Sequence, residues 1–582
     1  MSAQSSLRVL TAFLCLAAVQ AQPRAAPPPE KITDPKRLLQ LAIEALGSEA
    51  KVQGLKTLRL EWVGHTLMPE QSERPEGPYV TNYQQAVEEV DLDNLMIRQV
   101  ITSRSLLQPK GVELTYVLTS TAGVIQLPEG QAPAPPSVVL DNIELFQQLP
   151  HRALAAAMKS PDLRLVEEAK FQGVPHRVVA YKPGKSEVRI WLNSSTNLPT
   201  AVDWTTARPG DLNWSVLGDI KVRLLFGSWS LEAGILFPKQ WNIERNGKPW
   251  SQRSYTVVTV NPALDKRLFE LDPTPRRASV GYLAQTVDDV PLGRQNEPAL
   301  PIQPTLIFLP GPYNVAMVRQ EDGVVVLEAP ISAGYSRKVM EDIVWRFREA
   351  PVKAVITTSD SWPQVAGIRE YIAAGIPVYA LDLNQSTLET FSSAPRTLVP
   401  DRLSRLPKQP NWNWLSGKTV VGSKLNPIEV YPIRGEASER TLMAYFPDSK
   451  LLWTGDLINR NQDGSFFMPA YLGELVNAVR RERLDVAVIF GIHLRPTAYN
   501  EIAAAWYRSI GVPVPEATPS HKPSGARPAA PKTAVSIETL PGMPSPVPAS
   551  PLTVVPKNPP ASKSAQPKSS AKSSTQAKPG NQ

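Results

Sequence analysis

The sequence predicts an α+β protein with two folded domains, an antiparallel β-rich first domain and a second domain in which strands and helices alternate. Between an apolar leader and a polar C-terminal tail lie about 490 residues, more than one hydrophobic core usually organises. In the first part of this region apolar residues recur with a period of two, as in half-buried strands. In the second part short apolar runs alternate with segments that have the apolar spacing of a helix face.

The first residues have the pattern of a secretory signal peptide. Arg8 precedes an apolar run at Val9–Val19, and a small-x-small pattern ends at Ala21, which predicts removal of residues 1–21. The run is too short to span a bilayer as a helix. Cys15, the only cysteine, lies inside the run, and a lipoprotein anchor there is the alternative, although no good lipobox precedes it. We therefore expect an exported protein without disulfides, in a periplasm, on the cell surface or secreted.

Residues 513–582 form a segment rich in Pro, Ala, Ser, Thr and Lys with few large apolar residues. Such a segment does not bury enough apolar surface to offset its ordering entropy, so we expect a disordered tail. The tail holds eight Lys and Arg against two Glu, a net charge of +6 out of +8 for the whole chain. The nearly neutral remainder argues against specific nucleic-acid binding, and the basic tail is expected to contact anionic surfaces at most, in a salt-sensitive way.

The first domain, residues 31–272, is predicted to begin with a helix and to continue as an antiparallel sheet. Asp34 followed by Pro35 is a typical helix start, and Gly47 a typical end. The apolar face of this helix consists of Leu38, Leu39, Ala42, Ile43 and Leu46. Strands are predicted at 58–62, 188–192, 201–204, 221–226, 235–244 and 254–260. A curved sheet with one or two helices is the expected packing.

Two segments of this domain, VRIWLNSSTNLPTAVDW and GILFPKQWNIERNGKPW, resemble the half-barrel sheets of periplasmic lipoprotein-carrier-like domains in strand rhythm and in their Leu-Pro and Phe-Pro pairs. The resemblance implies a concave face that holds a lipid or another apolar ligand. The alternative is a closed core, because apolar strand faces normally form core. The domain also contains His65, His151 and His176, which lack carboxylate or cysteine partners at ligand spacing, so we expect structural or surface histidines.

Residues 273–302 contain several prolines and no clear apolar period, which predicts a linker. The second domain, residues 303–512, follows. Strands are predicted at 305–309, 315–319, 324–327, 354–356, 378–380, 419–421, 428–433 and 486–489, and helices at 339–347, 365–372 and 472–479. Between the strand at 354–356 and the helix at 365–372 lies a polar loop, Thr357–Gln364. Loops at the carboxyl ends of strands are where open α/β sheets place their functional residues.

This strand, loop and helix resemble the signature of the metallo-β-lactamase superfamily, in which T-H-x-H-x-D-H precedes a V-A-G-I-R-E-Y type helix. The helix motif is present at 365–371, whereas the ligand positions of the loop hold Ser359, Ser361, Pro363 and Gln364. The later segment RGEASERTLMAYFPDSKLLWTGDL resembles a second family motif and has Ala437 where the family has another histidine. The resemblance implies an αββα sandwich that has lost most of its metal ligands.

Two ligand positions of the family are retained in this alignment. Asp456 matches the carboxylate that bridges two metals, and His493, the only histidine of residues 303–512, matches the last histidine ligand. Because catalytic zinc typically has three protein ligands, we expect no metal cofactor. The alternative is zinc or another divalent metal in a reorganised site, in which Asp360, Glu436 and Glu439 are substitute ligands for a harder ion such as Mg²⁺, Ca²⁺ or Mn²⁺.

The sequence thus predicts a non-catalytic binding or scaffolding module of the cell envelope, with an unidentified ligand or envelope component as partner. A metal-dependent hydrolase is the main alternative. A serine hydrolase built from Ser359 or Ser361 with His493 and Asp456 has the right residue types, but no G-x-S-x-G motif accompanies them.

Overall fold

The computed structural model describes residues 32–514 except 107, 295, 349, 423 and 462. The predicted signal peptide and residues 515–582 of the predicted tail lie outside this part. The described chain is an α+β protein in which a helix-covered antiparallel sheet is followed by an αββα sandwich. Within the described residues, no helix has the length and apolar character needed to cross a membrane.

The first domain is a 13-stranded antiparallel sheet with helices packed against it. The helices are α1 (Pro35–Leu46), α2 (Glu49–Gln53), α3 (Pro136–Gln147), α4 (Pro150–Lys159) and α5 (Pro273–Ala284). The strands are β1 (Thr57–Met68), β2 (Val80–Asp91), β3 (Met96–Arg104), β4 (Val112–Thr119), β5 (Gly123–Leu127), β6 (Gly130–Pro133), β7 (Arg164–Phe171), β8 (Val174–Tyr181), β9 (Val188–Asn193), β10 (Pro199–Ala207), β11 (Asp219–Glu232), β12 (Ile235–Arg245) and β13 (Lys248–Val260). Because β1 pairs with β13, the first and last strands meet in the middle of the sheet.

Helix α1 begins and ends where the sequence predicts. The Asp34 carboxylate accepts a hydrogen bond from the Lys36 amide at 3.0 Å, which satisfies one free N–H of the first turn. Gly47 ends the helix with φ 142°, and a Cβ there would lie 2.7 Å from the Gly234 carbonyl oxygen. The predicted apolar face is buried against the sheet.

The segment 273–302 differs from the predicted linker because it contains α5. This helix contacts β5 and β6, and its buried residue is Ser279, whose hydroxyl accepts a hydrogen bond from the Gly123 amide at 2.8 Å. Since the buried contact is made by a serine, the helix has no apolar stripe that would reveal it in the sequence.

The second domain contains two sheets with helices on their outer faces. Its helices are α6 (Ala333–Arg346), α7 (Trp362–Val365), α8 (Ile368–Ala374), α9 (Gln385–Ser393), α10 (Arg402–Arg405), α11 (Pro469–Arg481) and α12 (Tyr499–Ser509). A seven-stranded sheet consists of β14 (Leu300–Gln303), β15 (Leu306–Leu309), β16 (Val315–Gln320), β17 (Gly323–Leu327), β18 (Val352–Ile356), β19 (Val378–Leu381) and β20 (Trp412–Leu415). A six-stranded sheet consists of β21 (Thr419–Val421), β22 (Ile428–Pro432), β23 (Leu442–Phe446), β24 (Leu451–Trp453), β25 (Val488–Phe490) and β26 (Thr497–Ala498).

Successive residues of the central strands point into different layers of the domain. Ala316 of β16 and Ala444 of β23 belong to one core between the two sheets. Their neighbours point the other way: Met317 packs in the core that includes α6 and α8, and Met443 in the core that includes α11 and α12. This four-layer order is the αββα sandwich implied by the sequence motifs.

The two domains share part of a core. Leu212 and Val216, in the connection between β10 and β11, are buried in the helix-covered core of the second domain. Nearby, the Asp219 carboxylate accepts hydrogen bonds from the Thr397 amide at 2.8 Å, the Thr397 hydroxyl at 2.6 Å and the Leu398 amide at 3.1 Å. The connection between β10 and β11 therefore anchors one domain in the other.

Candidate functional site

The candidate site lies where strands of both sheets end. Ser359 follows β18 in the seven-stranded sheet, whereas Asp456 and His493 follow the parallel strands β24 and β25 in the six-stranded sheet. Gly455, with φ 58°, allows a close approach of the two sheets, since a Cβ there would lie 2.3 Å from the Thr358 hydroxyl oxygen. The carboxyl ends of the strands thus bring the residues of both sequence motifs to one region.

Asp456 and His493 form a pair. Asp456 Oδ1 lies 3.1 Å from His493 Nε2, and the side chains of Asp456 and His493 are 33% and 27% exposed. The Tyr313 ring meets the imidazole edge-on, with 5.0 Å between the ring centroids. Asn314 fixes this tyrosine loop, because its side-chain amide donates to the Gly491 carbonyl at 3.0 Å. The imidazole is therefore oriented by a carboxylate on one ring nitrogen and by an aromatic neighbour.

The side chains of Ser359 and Gln364 form a hydrogen bond with each other. The Ser359 hydroxyl donates to Gln364 Oε1 at 2.6 Å, and both residues are buried. The Ser361 amide in turn donates to the Ser359 hydroxyl oxygen at 3.3 Å. A serine has a single O–H to donate, and here Gln364 accepts it. The hydroxyl is therefore not directed at His493, as nucleophilic catalysis with that base requires.

Pro363 and Ala437 provide backbone contacts. Pro363 lies in the first turn of α7, and its carbonyl accepts a hydrogen bond from the Ile331 amide at 2.7 Å. The Ala437 amide donates to the Glu474 carboxylate of α11 at 3.0 Å. Neither side chain has an atom that binds a metal ion.

The three other candidate carboxylates have different surroundings. Asp360 lies 3.4 Å from the Arg440 guanidinium, and burial raises the pKa of its carboxyl. Glu439 pairs with Arg74 of the first domain at 2.6 Å, and the hydrogen bond from this arginine lowers its pKa. Glu436 is exposed. In the part of the chain that the structure describes, no group of three or more His, Cys, Asp or Glu side chains is arranged to hold a metal ion.

A buried carboxyl, Glu328, lies beneath the site at the end of β17. It accepts hydrogen bonds from the Thr358 amide at 3.3 Å, from the Thr358 hydroxyl and from Trp453 Nε1 at 3.0 Å. Burial raises its pKa to about 7, and the negative charge of Asp456 acts in the same direction. Glu328 is not among the residues that the sequence motifs predict for the site. The available signal was an acidic residue directly after the fully apolar run VVVL.

The first domain reaches the site at two places. In the connection between β1 and β2, Arg74 pairs with Glu439, and Glu76 lies 3.3 Å from Arg440. At the start of α7, the Trp362 ring meets the Trp214 ring of the first domain edge-on at 5.3 Å. These contacts join residues far apart in the sequence, and no local pattern predicts them.

Comparison with known proteins finds no matching family model and no matching curated protein. Among solved structures, the chain is similar to the stereoselective inverting sec-alkylsulfatase Pisa1 from Pseudomonas sp., at 15% identity over 40% of this chain and 42% of that chain, with a TM-score of 0.29. It is also similar to metallo-β-lactamases from Pontibacter korlensis, at 14% identity over 36% of this chain and 96% of that chain with a TM-score of 0.28, and from Erythrobacter litoralis, at 14% over 38% and 100% with a TM-score of 0.30. The chain spans less than half the length of the alkylsulfatase.

Proposed function

We propose that the protein is an exported, non-catalytic binding or scaffolding module of the cell envelope whose second domain has a metallo-β-lactamase architecture with a degenerate metal site. The observation that carries the proposal is the buried hydrogen bond between Ser359 and Gln364. The family motif has histidines at both positions, and here two neutral side chains satisfy each other. Neither side chain is a zinc ligand.

The pair formed by Asp456 and His493 supports the same proposal. A catalytic zinc site typically has three protein ligands and one open position. The pair supplies two metal ligands, and within the described residues no third His, Cys, Asp or Glu joins them. The residues present therefore do not fit a catalytic zinc ion. The imidazole and carboxylate are instead available for hydrogen bonds to a ligand.

The cell-envelope location rests on the sequence of the two ends of the chain. The pattern of residues 1–21 motivates export, and the tail, with its net charge of +6, motivates weak contact with an anionic surface. In this proposal the concave face of the first domain is the binding surface. N-terminal sequencing of the protein from an envelope fraction tests export, with Gln22 as the expected first residue. A chain that still begins at Met1 would contradict it.

Metal content tests the proposed loss of catalysis. Elemental analysis of the purified full-length protein is expected to give far less than one zinc or manganese ion per chain. We also expect the same Tm with added zinc, with manganese and with chelator. An ion that binds only the folded state at 100 times its Kd would add about 2.7 kcal/mol, which corresponds to a Tm shift of a few degrees.

The double variant Asp456→Ala, His493→Ala is the control, because it removes both metal-ligand positions that the sequence retains. Stoichiometric metal in the unmodified protein that is lost from this variant would contradict the proposal. It would instead support a metal-dependent hydrolase with a reorganised site in which Asp360, Glu436 or Glu439 completes the ligand set.

A further inference from the structure

The first domain contains a cavity of about 1060 Å³ between its sheet and helix α3. This volume is at the upper end of the range for sites of small molecules and far exceeds that of a packing defect. The cavity lies outside the candidate site in the second domain. An inference about its ligand therefore stands whether or not the second domain binds a metal.

One half of the cavity is apolar. Leu114 of β4 and Ile125 and Leu127 of β5 line it, together with Val138 and Leu145 of α3. Leu114, Ile125 and Leu127 remain partly accessible, and the first two pack against the core of the domain. Since core leucines and isoleucines are usually among the most buried residues, this wall is suited to an apolar group that covers it.

The rest of the lining is polar, and its four basic residues, Lys110, Arg208, Arg245 and Arg253, are matched by four acidic ones, Glu70, Asp141, Glu144 and Asp211. Arg208 lies 2.7 Å from both Asp141 and Glu144, and Arg245 lies 2.6 Å from Asp141. Arg253 lies 3.0 Å from Glu88, which is fully buried. Each of the three arginines thus has a carboxylate partner, and the equal numbers of basic and acidic lining residues leave no formal net charge to attract an ionic head group.

This polar wall is also held rigidly. The Arg245 guanidinium lies 4.4 Å from the ring centroids of both Trp214 and Trp250, which meet edge-on. The Arg253 guanidinium lies 4.6 Å from the Trp62 ring centroid. Groups fixed in this way lose little conformational freedom when a ligand binds, which favours affinity.

Uncharged polar side chains also line the cavity and remain partly accessible. They include Asn82, Gln84, Ser103 and Ser251, whose amide and hydroxyl groups supply both donors and acceptors. A polar ligand group that pairs with these side chains gains affinity over an apolar group, which would leave them without hydrogen-bond partners. A hydroxyl group both donates and accepts, and it therefore pairs with either kind of atom.

We propose that this cavity binds an uncharged amphiphile whose head carries several hydroxyl groups, as a sugar does, and whose apolar part lies against β4, β5 and α3. The mixed donors and acceptors recognise the hydroxyl groups, the internal charge balance disfavours an ionic head, and the apolar wall receives the tail. The ligand differs in its head group from the purely apolar one implied by the resemblance of the first domain.

Binding of matched probes to the full-length protein tests this inference. Octyl glucoside, octyl sulfate and glucose, each below any micelle-forming concentration, are compared by isothermal titration calorimetry. Octyl glucoside is expected to bind at least about tenfold more tightly than either of the others, which corresponds to roughly 1.4 kcal/mol. Equal or tighter binding of octyl sulfate, equal binding of glucose, or binding of none of the three would overturn the proposal.

Two variants locate the binding. Asn82→Leu removes an amide group of the polar wall and is expected to weaken octyl glucoside binding by about tenfold, the effect of one buried hydrogen bond. Leu114→Trp fills the apolar half and is expected to abolish binding, with an unchanged circular dichroism spectrum to show that the domain folds. Asn242→Leu changes the opposite face of β12 and is expected to bind like the unmodified protein. If both cavity variants fold and bind normally, the assignment is wrong.

Discussion

Glu328 joins the two sheets of the second domain through one side chain. Its carboxyl accepts hydrogen bonds from Thr358, directly after β18, and from Trp453 of β24. The residue has a φ of 78°, a backbone conformation that non-glycine residues adopt only when their surroundings enforce it. Complete burial and a pKa raised to about 7 make this carboxyl a source of pH-dependent stability.

The pH dependence has a defined sign. Because the pKa of Glu328 in the folded state, about 7, is above its ordinary value of 4.5, the folded protein holds this proton more tightly than the unfolded chain. The stabilisation is complete below pH 4.5 and is lost as the pH rises through 7. Since one pKa unit corresponds to 1.36 kcal/mol, about 3 kcal/mol of the free energy of unfolding depends on the protonation of Glu328.

We therefore expect Glu328→Gln to flatten the pH profile of stability. Between pH 5 and pH 9 the unmodified protein should lose about 3 kcal/mol more of its free energy of unfolding than the variant does. Urea denaturation at several pH values measures this difference. The exposed residue Glu129 provides a matched control, Glu129→Gln, whose profile should follow that of the unmodified protein. Parallel profiles for Glu328→Gln and the unmodified protein would refute the prediction.

Ser359 and Ser361 differ sharply although they are two residues apart. Ser359→Ala leaves the buried Gln364 carbonyl oxygen without its donor, so we expect a loss of about 1–3 kcal/mol in the free energy of unfolding. Ser361 precedes α7 without capping it through its side chain, and Ser361→Ala should cost less than about 0.5 kcal/mol. Urea denaturation of both variants gives the comparison. Equal losses would mean that the Ser359 hydroxyl is not buried in this hydrogen bond.

At the scale of elements, α8 is notable for two consecutive buried charges. Arg369 donates to the Asp401 carboxylate at 2.5 and 3.0 Å and to the Ser404 hydroxyl at 3.0 Å. Glu370 is fully buried and accepts from Arg402 at 3.0 Å and from Arg337 at 3.3 Å. The helix thus holds α10 and α6 through ion pairs, in addition to its apolar contacts.

Removal of the buried arginine should destabilise the second domain strongly. Arg369→Met leaves Asp401 without its bidentate partner, and we expect a loss of about 3–5 kcal/mol, the usual effect of breaking a buried ion pair. Arg402→Met is the control, since Arg402 is 46% exposed and Glu370 keeps Arg337, and it should cost about 1 kcal/mol or less. Chemical denaturation measures both values. A loss near 1 kcal/mol for Arg369→Met would show that Arg396, 3.3 Å from Asp401, is a sufficient partner.

The elements that could be predicted from the sequence are those with a local signal. Helix α1 has its capping residue, its apolar face and its glycine end within 14 residues of the chain. By contrast, the predicted helix at 365–372 is broken between α7 and α8, where the Gly367 amide donates to the Ala329 carbonyl at 2.8 Å. A Cβ at Gly367 would lie 2.1 Å from the Ser336 hydroxyl oxygen. Such a break follows from a tertiary contact, which apolar periodicity does not contain.

The same distinction applies to the candidate site. The sequence motifs single out Asp456 and His493, which the structure places 3.1 Å apart. The motifs also mark the positions of Ser359 and Gln364, but their mutual hydrogen bond depends on the side-chain conformations in the folded loop. The ion pair between Arg74 and Glu439 joins residues 365 positions apart and requires the packing of one domain on the other. Motifs therefore identify the positions, and tertiary packing decides their partners.

At the scale of the whole molecule, the cavity of the first domain and the candidate site of the second are joined by two shared segments. The connection between β10 and β11 lines the cavity with Asn213 and Trp214 and places Leu212 and Val216 in the core of the second domain. The connection between β1 and β2 lines the cavity with Glu70 and pairs Arg74 with Glu439 beside the candidate site. A ligand in the cavity thus contacts segments that also bind the second domain.

Because of this shared core, we expect the two domains to unfold together and a loss of Asp219 to separate them. Asp219→Ala removes the acceptor of three hydrogen bonds from Thr397 and Leu398, about 3 kcal/mol of interdomain stabilisation. Differential scanning calorimetry should show one transition for the unmodified protein and two for the variant. The control is Asp203→Ala, which breaks a pair with Arg223 inside the first domain and should shift the single transition without dividing it. A single transition in Asp219→Ala, shifted no further than in the control, would mean that the remaining interdomain contacts, among them those of Leu212 and Val216, couple the domains without Asp219.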